Sequence, residues 1–207
     1  MKQLKRLTVL THPGYSIDEA TIDPQEEAML RSIEAMVKGI TKTKQEALLV
    51  LMHMYKDTIA ERREDADDPR NIVFDMLERI QRKLRGACVR IDGTVILHIS
   101  ACVDYLEQTR AALLEQGLRL NSKTEIVGIG ETPAACVPHV LQNFATLLDS
   151  AVPPKVLLDY TTAAQPENRT HWRRNGWKLQ NAKRKWTGVR FVPLGTHKGV
   201  LETYEGA

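Results

Sequence analysis

The sequence predicts an α/β protein, a three-layer α/β/α fold with a mostly parallel, doubly wound sheet of five or six strands. Its 207 residues suit one domain of this class and would be cramped for two. Short β-rich runs alternate with stretches of helical periodicity along most of the chain. The run 47–54 is apolar nearly throughout, which is typical of a strand covered on both faces. We therefore expect residues 1–207 to form a single domain with right-handed crossovers.

The β-rich runs, taken in order, give the predicted strands. They cover residues 4–11, 47–54, 87–91, 94–99, 124–129, 155–160 and 189–194. Asp92-Gly93 separates the third run from the fourth and predicts a hairpin there. The other runs are separated by longer stretches, which suits crossover connections in a parallel sheet.

Helix start and stop signals frame the stretches between those strands. Asp23-Pro24 and Asp68-Pro69 each open an amphipathic helix, and the second one has a stripe of apolar residues: Ile72, Val73, Met76, Leu77, Ile80 and Leu84. A third helix is predicted from about Cys102 to Gln116, with Gly117 as its stop. A fourth is predicted over residues 138–150.

Composition excludes several classes of protein. The longest apolar run, 47–52, is far shorter than the roughly 20 residues that span a bilayer, so we expect no membrane segment. The first ten residues do not match a secretory signal, which predicts a cytoplasmic protein. Three cysteines without a CxxC spacing favour free thiols over a disulfide framework or a zinc ribbon. No bound cofactor is predicted.

Polar side chains follow several predicted strands, at the edge where parallel sheets bind ligands. His12 follows the first strand, His53 the second, and His98 lies in the run after Asp92-Gly93. Each one alone is more often a packed structural residue than a functional one. Neutral imidazoles can also bind a metal together, so this alternative stays open, although no metal site is predicted.

The turn from Gly128 to Pro138 is the sharpest chemical feature. Pro138 suits the first turn of a helix, which puts Cys136 at or just before the helix amino terminus. The partial positive charge and the backbone N–H groups at that position favour a thiolate and can hold an oxyanion. The alternative is that Cys136 is a small buried apolar residue.

The stretch from about Ser100 to Ala164 resembles the second half of the isochorismatase-like cysteine hydrolases, which include nicotinamidases. Its Ser-Ala helix start and the spacing from Gly130 to Cys136-Val137 are similar to that family's pattern. The family's aspartate and lysine are not matched, because the first strand ends in Thr11-His12 and no lysine lies in 86–99. Pro133-Ala134 replaces the Thr-Asp that usually stands before the cysteine.

This resemblance implies hydrolysis of a small amide or a related small-molecule substrate. Cys136 would be the nucleophile, and His12 or His98 would handle the proton. Backbone N–H groups of the turn would hold the oxyanion, with Gly130, Glu131 and Ala135 as its residues. The resemblance also implies a homo-oligomer.

A basic segment, residues 168–190, precedes the last predicted strand and carries eight cations and no acidic residue. Its cations and aromatic rings have the composition of a nucleic-acid surface: Trp172, Arg173, Arg174, Trp177, Lys178, Lys183, Arg184 and Lys185. The alternative is that its tryptophans anchor the segment to the domain. The second functional hypothesis is therefore a protein that keeps the fold without catalysis and binds nucleic acid or another acidic partner.

Overall fold

A computed structural model describes most of the chain. The described residues are 1–14, 30, 33, 34, 37, 40, 45–96, 98–131, 135–161 and 184–192. Residues 30, 33, 34, 37 and 40 are helical, and the described apolar ones among them are buried, as predicted for the helix that follows Asp23-Pro24. The start of that helix lies outside the described residues.

In the described part of the chain, eight strands form two parallel sheets. Their bounds are β1 (Lys2–Gln3), β2 (Arg6–Thr11), β3 (Glu46–Leu51), β4 (Cys88–Ile91), β5 (Leu118–Arg119), β6 (Glu125–Gly130), β7 (Lys155–Thr161) and β8 (Arg190–Val192). The central sheet has six strands in the order β4-β3-β2-β6-β7-β8, and β1 pairs with β5 in a small second sheet. Every pairing of the central sheet is parallel, which confirms the predicted α/β class.

Four helices have defined bounds: α1 (Lys56–Glu64), α2 (Asn71–Leu84), α3 (Ile99–Glu115) and α4 (Cys136–Leu147). The predicted apolar stripe of α2 is buried from Val73 to Leu84, but Ile72 is half exposed, because the buried face is centred on Val73, Met76, Leu77 and Ile80. α3 begins three residues earlier than predicted, at Ile99, and Gly117 follows it with a φ of 71°.

Two apolar clusters, one on each face of the central sheet, make the three layers. The first contains Leu7 and Val9 of β2 and packs against α3, α4 and Trp186. The second contains Leu10 of β2 and packs against α1, α2 and the buried residues of 30–40. Neighbouring residues of β2 thus enter opposite clusters, as the alternation of a strand requires. β2 is buried over its whole length.

The hairpin predicted at Asp92-Gly93 is wrong. The Gly93 N–H donates to the Met54 oxygen at 2.8 Å, and the Thr94 N–H donates to the Met52 oxygen at 2.7 Å. The chain therefore crosses the end of β3 instead of folding back on β4. Ile99 is the first residue of α3, so the run 94–99 is not a strand.

Four charged side chains of alternating sign, here called the charge ladder, line the amino edge of the sheet. They are Glu46 of β3, Arg6 of β2, Glu125 of β6 and Lys155 of β7. Arg6 lies in register with both glutamates, and its Nε donates to Glu125 Oε2 at 2.8 Å. Burial opposes ionisation of Glu125, but the hydrogen bond from Lys155 and the charge of Arg6 outweigh it and lower the pKa. The ladder therefore places opposite charges on neighbouring strands at the amino edge of the sheet.

Within the described part of the chain, no helix combines the length and the apolar character needed to cross a membrane.

Candidate active site

The order of the strands puts the topological switch point of the sheet at β2. β2 lies at the centre, with β3 on one side and β6 on the other, so the connections run away from β2 in both directions. Ligands of such sheets bind beyond the strand ends where this reversal occurs. Thr11 and Gly130 are the paired last residues of β2 and β6 at this point.

The backbone of Gly130 lies in close contact with the backbone of Thr11 at the ends of these two strands. Its φ is 109°, and a Cβ there would stand 2.5 Å from the Thr11 carbonyl oxygen, so only glycine fits. The Glu131 N–H donates to the same Thr11 oxygen at 3.1 Å, and the Thr11 hydroxyl donates to the Ile129 oxygen at 3.2 Å. Glu131 is fully buried. Of the turn that follows, residues 132–134 lie outside the described residues.

Cys136 is the first residue of α4, as the position of Pro138 predicts. Its side chain is half-buried and packs against the first apolar cluster. Its sulfur is a free thiol that makes no hydrogen bond with the described residues. The first N–H groups of α4 have no partners within the helix. Ala135, just before it, is exposed.

Close packing sets the position of α4 over β6. A Cβ at Gly128 would stand 2.5 Å from Leu141 and 2.7 Å from Val137. The absence of a side chain at Gly128 therefore lets the helix approach the strand closely. Since Val137 directly follows Cys136, this contact also holds the thiol against the end of the sheet.

His98 lies at the amino terminus of α3, where it is the N-cap residue and is exposed. α3 and α4 contact each other where Asn143 Nδ2 donates to Cys102 Sγ at 3.4 Å, in the first turn of α3 and about two turns into α4. Cys136 and Asn143 are seven residues apart and therefore share one face of α4. His98 is four residues before Cys102, and its extended backbone places it just before the first turn of α3. His98 and Cys136 thus stand at the starts of two helices that contact each other.

His139 is the fourth residue of α4 and is half-buried. Burial, then the charges of Lys185 and His98, lowers the pKa of its imidazole. The charge of His98 therefore acts on His139, which indicates that His98 lies near the first turn of α4. The sequence alone gave no reason to connect His139 with His98, because the two are far apart along the chain.

His12 belongs to a different part of the carboxyl edge. The backbone N–H of His12 donates to the backbone oxygen of Leu51, at the end of β3, at 2.8 Å. The His12 ring contacts the His53 ring edge-on, with 5.0 Å between the ring centroids. The φ of His12 is 49°. Two residues later, Gly14 lies next to the side chains of Met54 and Val73. Burial, then the charge of His53, lowers the pKa of His12 to about 4. The structure thus pairs His12 with His53 beside α2 and places His98 beside α4.

The metal alternative was built on His12, His53 and His98. Over the described ranges, no group of three or more histidine, cysteine, aspartate or glutamate side chains is arranged to hold a metal ion.

Only the end of the basic segment falls within the described residues. Trp172, Arg173, Arg174, Trp177, Lys178 and Lys183 lie outside them. Arg184 and Lys185 are exposed, whereas Trp186 is buried in the first apolar cluster. Trp186 therefore anchors the end of the basic segment to the domain, as the alternative hypothesis for the tryptophans predicts.

Comparisons of the chain with protein-family models, with curated proteins and with solved structures found no match.

Proposed function

We propose that this protein is a divergent isochorismatase-like hydrolase, which cleaves a small amide or related substrate with Cys136 as its nucleophile. The observation that carries the proposal is the free thiol of Cys136 at the start of α4. The neighbouring helix α3 is preceded by His98, whose side chain is exposed. A nucleophile beside a base is the arrangement that covalent catalysis requires.

His98 is the base in this proposal, in preference to His12. The Asn143–Cys102 contact joins the helices that begin beside His98 and at Cys136, whereas His12 contacts His53 at the end of β3. His98 makes no side-chain capping bond to α3, so its imidazole is available for proton transfer. Thr11 ends the strand at which the family has its aspartate, and a hydroxyl is no base, which leaves that role to a histidine.

The reaction has two halves. Cys136 gives its proton to His98, and its sulfur forms a bond to the carbonyl carbon. The N–H groups at the start of α4 hold the oxyanion. The C–N bond then breaks, and the leaving nitrogen takes the proton from His98. Water attacks the resulting thioester, again with His98 as the base, and releases a carboxylic acid and the Cys136 thiol.

Ammonia release from a panel of small primary amides tests this function. We expect turnover by the wild type and its loss in Cys136→Ala, because no other described residue can form the acyl intermediate there. Cys88→Ala is the matched control, since Cys88 is also a half-buried free thiol but lies at the amino edge of the sheet. Equal turnover by the two variants would refute the role of Cys136.

A second candidate is the binding of nucleic acid or another acidic partner through the basic segment. The exposure of the neighbouring cations Arg184 and Lys185 favours it. Gel-shift binding should then disappear in moderate salt and on replacement of Arg173 and Arg174, because phosphate contacts depend on charge. No binding at low salt would end this hypothesis. Self-association, which the resemblance implies, would appear in sedimentation equilibrium.

A further inference from the structure

Residues 184–189 pack along α4, the helix that begins with Cys136. Trp186 is only 6% exposed and joins the first apolar cluster, and its ring meets the His139 ring edge-on at 5.1 Å. Further along, a Cβ at Gly188 would lie 3.9 Å from Gln142 Nε2. The segment thus follows the helix from its first turn towards its middle, and this position is fixed by a buried indole.

The same indole holds a positive charge in place. Lys185 Nζ stands 4.7 Å from the centroid of the Trp186 ring, within the range of a cation–π contact. The Lys185 side chain is otherwise exposed. A lysine on the surface usually samples many rotamers, but this contact favours those that keep the ammonium beside the first turn of α4.

Two basic side chains of the described part of the chain act on His139. The charged groups that act on its pKa are Lys185 and His98, both basic, and no carboxylate among the described residues opposes them. Because burial also lowers that pKa, His139 is a neutral imidazole at neutral pH, which can donate one hydrogen bond. One cation and one neutral donor therefore both contact the Trp186 ring, near the first turn of α4.

We propose that the substrate of the Cys136 site carries a carboxylate group, which Lys185 binds with help from His139. One cation and one neutral donor match the single charge of a carboxylate better than the double charge of a phosphate. This inference rests on the proposed function for the reaction, and it adds the class of substrate, a small amide that also bears a carboxylate. Trp186 acts as a positioning residue, because it holds Lys185.

Protection of Cys136 from iodoacetamide tests the carboxylate site without any turnover. Iodoacetamide is neutral, so its own reaction depends little on Lys185. We expect succinate to slow the labelling of Cys136, read by peptide mass mapping, and succinamide, its neutral diamide, to have little effect. In Lys185→Gln, succinate should protect about fivefold less well, the value of one ion pair near a surface.

Arg184→Gln is the matched control, because Arg184 is the adjacent exposed cation of the same segment and has no ring contact among those described. It should keep the protection by succinate. Equal protection by succinate and succinamide, or an unchanged effect of succinate in Lys185→Gln, would overturn the inference. Stronger protection by inorganic phosphate than by succinate would also overturn it. A protein that shows the succinate effect but hydrolyses no amide would refute the proposed function and leave the carboxylate site standing.

Discussion

Replacing Glu125 by glutamine removes the central negative charge of the charge ladder and keeps the size of the side chain. Arg6 then loses the carboxylate that its Nε contacts at 2.8 Å, while Glu46 of the neighbouring strand still acts on it. Side-chain exposures of 7% for Arg6 and 15% for Glu125 make this a buried pair. Removing one partner of such a pair costs about 3–5 kcal/mol. Because Glu46 remains beside Arg6 and Lys155 is more exposed, we expect the lower end of that range, about 3 kcal/mol.

Thermal unfolding followed by circular dichroism measures this loss. For a chain of this length, about 3 kcal/mol corresponds to a melting temperature lower by roughly 6–12 °C at pH 7. The loss should depend on pH, because the pKa of Glu125 is lower in the folded than in the unfolded state. Its contribution is complete above the unfolded pKa of about 4.3 and disappears as the pH falls through the lower folded value. Wild type and variant should therefore converge in acid.

Glu107→Gln is the matched control for this substitution. Glu107 is 61% exposed and pairs with Arg110 one turn along α3, so its loss should change the free energy of unfolding by about 0.5 kcal/mol or less. If Glu125→Gln melted within about 2 °C of Glu107→Gln at pH 7, the charge ladder would be a surface feature and the reasoning would be refuted.

Two further substitutions test the geometry of the carboxyl edge. Gly130→Ala should cost about 3 kcal/mol or more in urea unfolding, because its Cβ would clash with the Thr11 backbone; Gly117→Ala, at a φ of 71° with nothing within 4 Å, should cost only about 1 kcal/mol. His12→Asn should flatten the pH dependence of unfolding. The folded state keeps His12 neutral down to a pKa of about 4, so the wild type loses up to about 3 kcal/mol as the pH falls from about 6.5 to that value.

Either result can fail in a defined way. Equal costs for the two glycine variants would mean that the contact with Thr11 relaxes without penalty. A His12→Asn variant with the same pH slope as the wild type would mean that another group causes the slope. Asparagine is chosen because it adopts the left-handed φ of 49° more readily than most residues.

The strands and helices could be predicted because their signals are local. The run 47–54 is apolar enough to identify a strand buried on both faces, and β3 is buried at every position. Pro138 predicts that Cys136 lies at or just before the start of α4, and Cys136 is the first residue of that helix. The hairpin prediction was wrong because Asp92-Gly93 indicates a turn, but it does not indicate which backbone oxygens accept hydrogen bonds from the N–H groups of that turn. The two-residue strands β1 and β5 are too short for any alternation.

The relation between the candidate site residues depends on contacts that sequence periodicity does not encode. His12 and His98 both come near the carboxyl edge, and the residue pattern could not choose between them. The choice of His98 depends on the Asn143–Cys102 contact, which joins residues 41 positions apart. In the same way, the composition of the basic segment suggested stacking rings, but only the fold shows that Trp186 packs on His139.

The central claim is that Cys136 attacks acyl carbon with His98 as its base, and trapping the acyl-enzyme tests it most directly. Rapidly quenched reaction with p-nitrophenyl acetate, followed by peptide mass mapping, should place one acetyl group on Cys136. His98→Gln should slow that acetylation by about 100-fold, the usual value of a general base, and keep the melting temperature, because His98 makes no capping hydrogen bond. Acetylation of Cys88 as fast as of Cys136, or an unchanged rate in His98→Gln, would contradict the account.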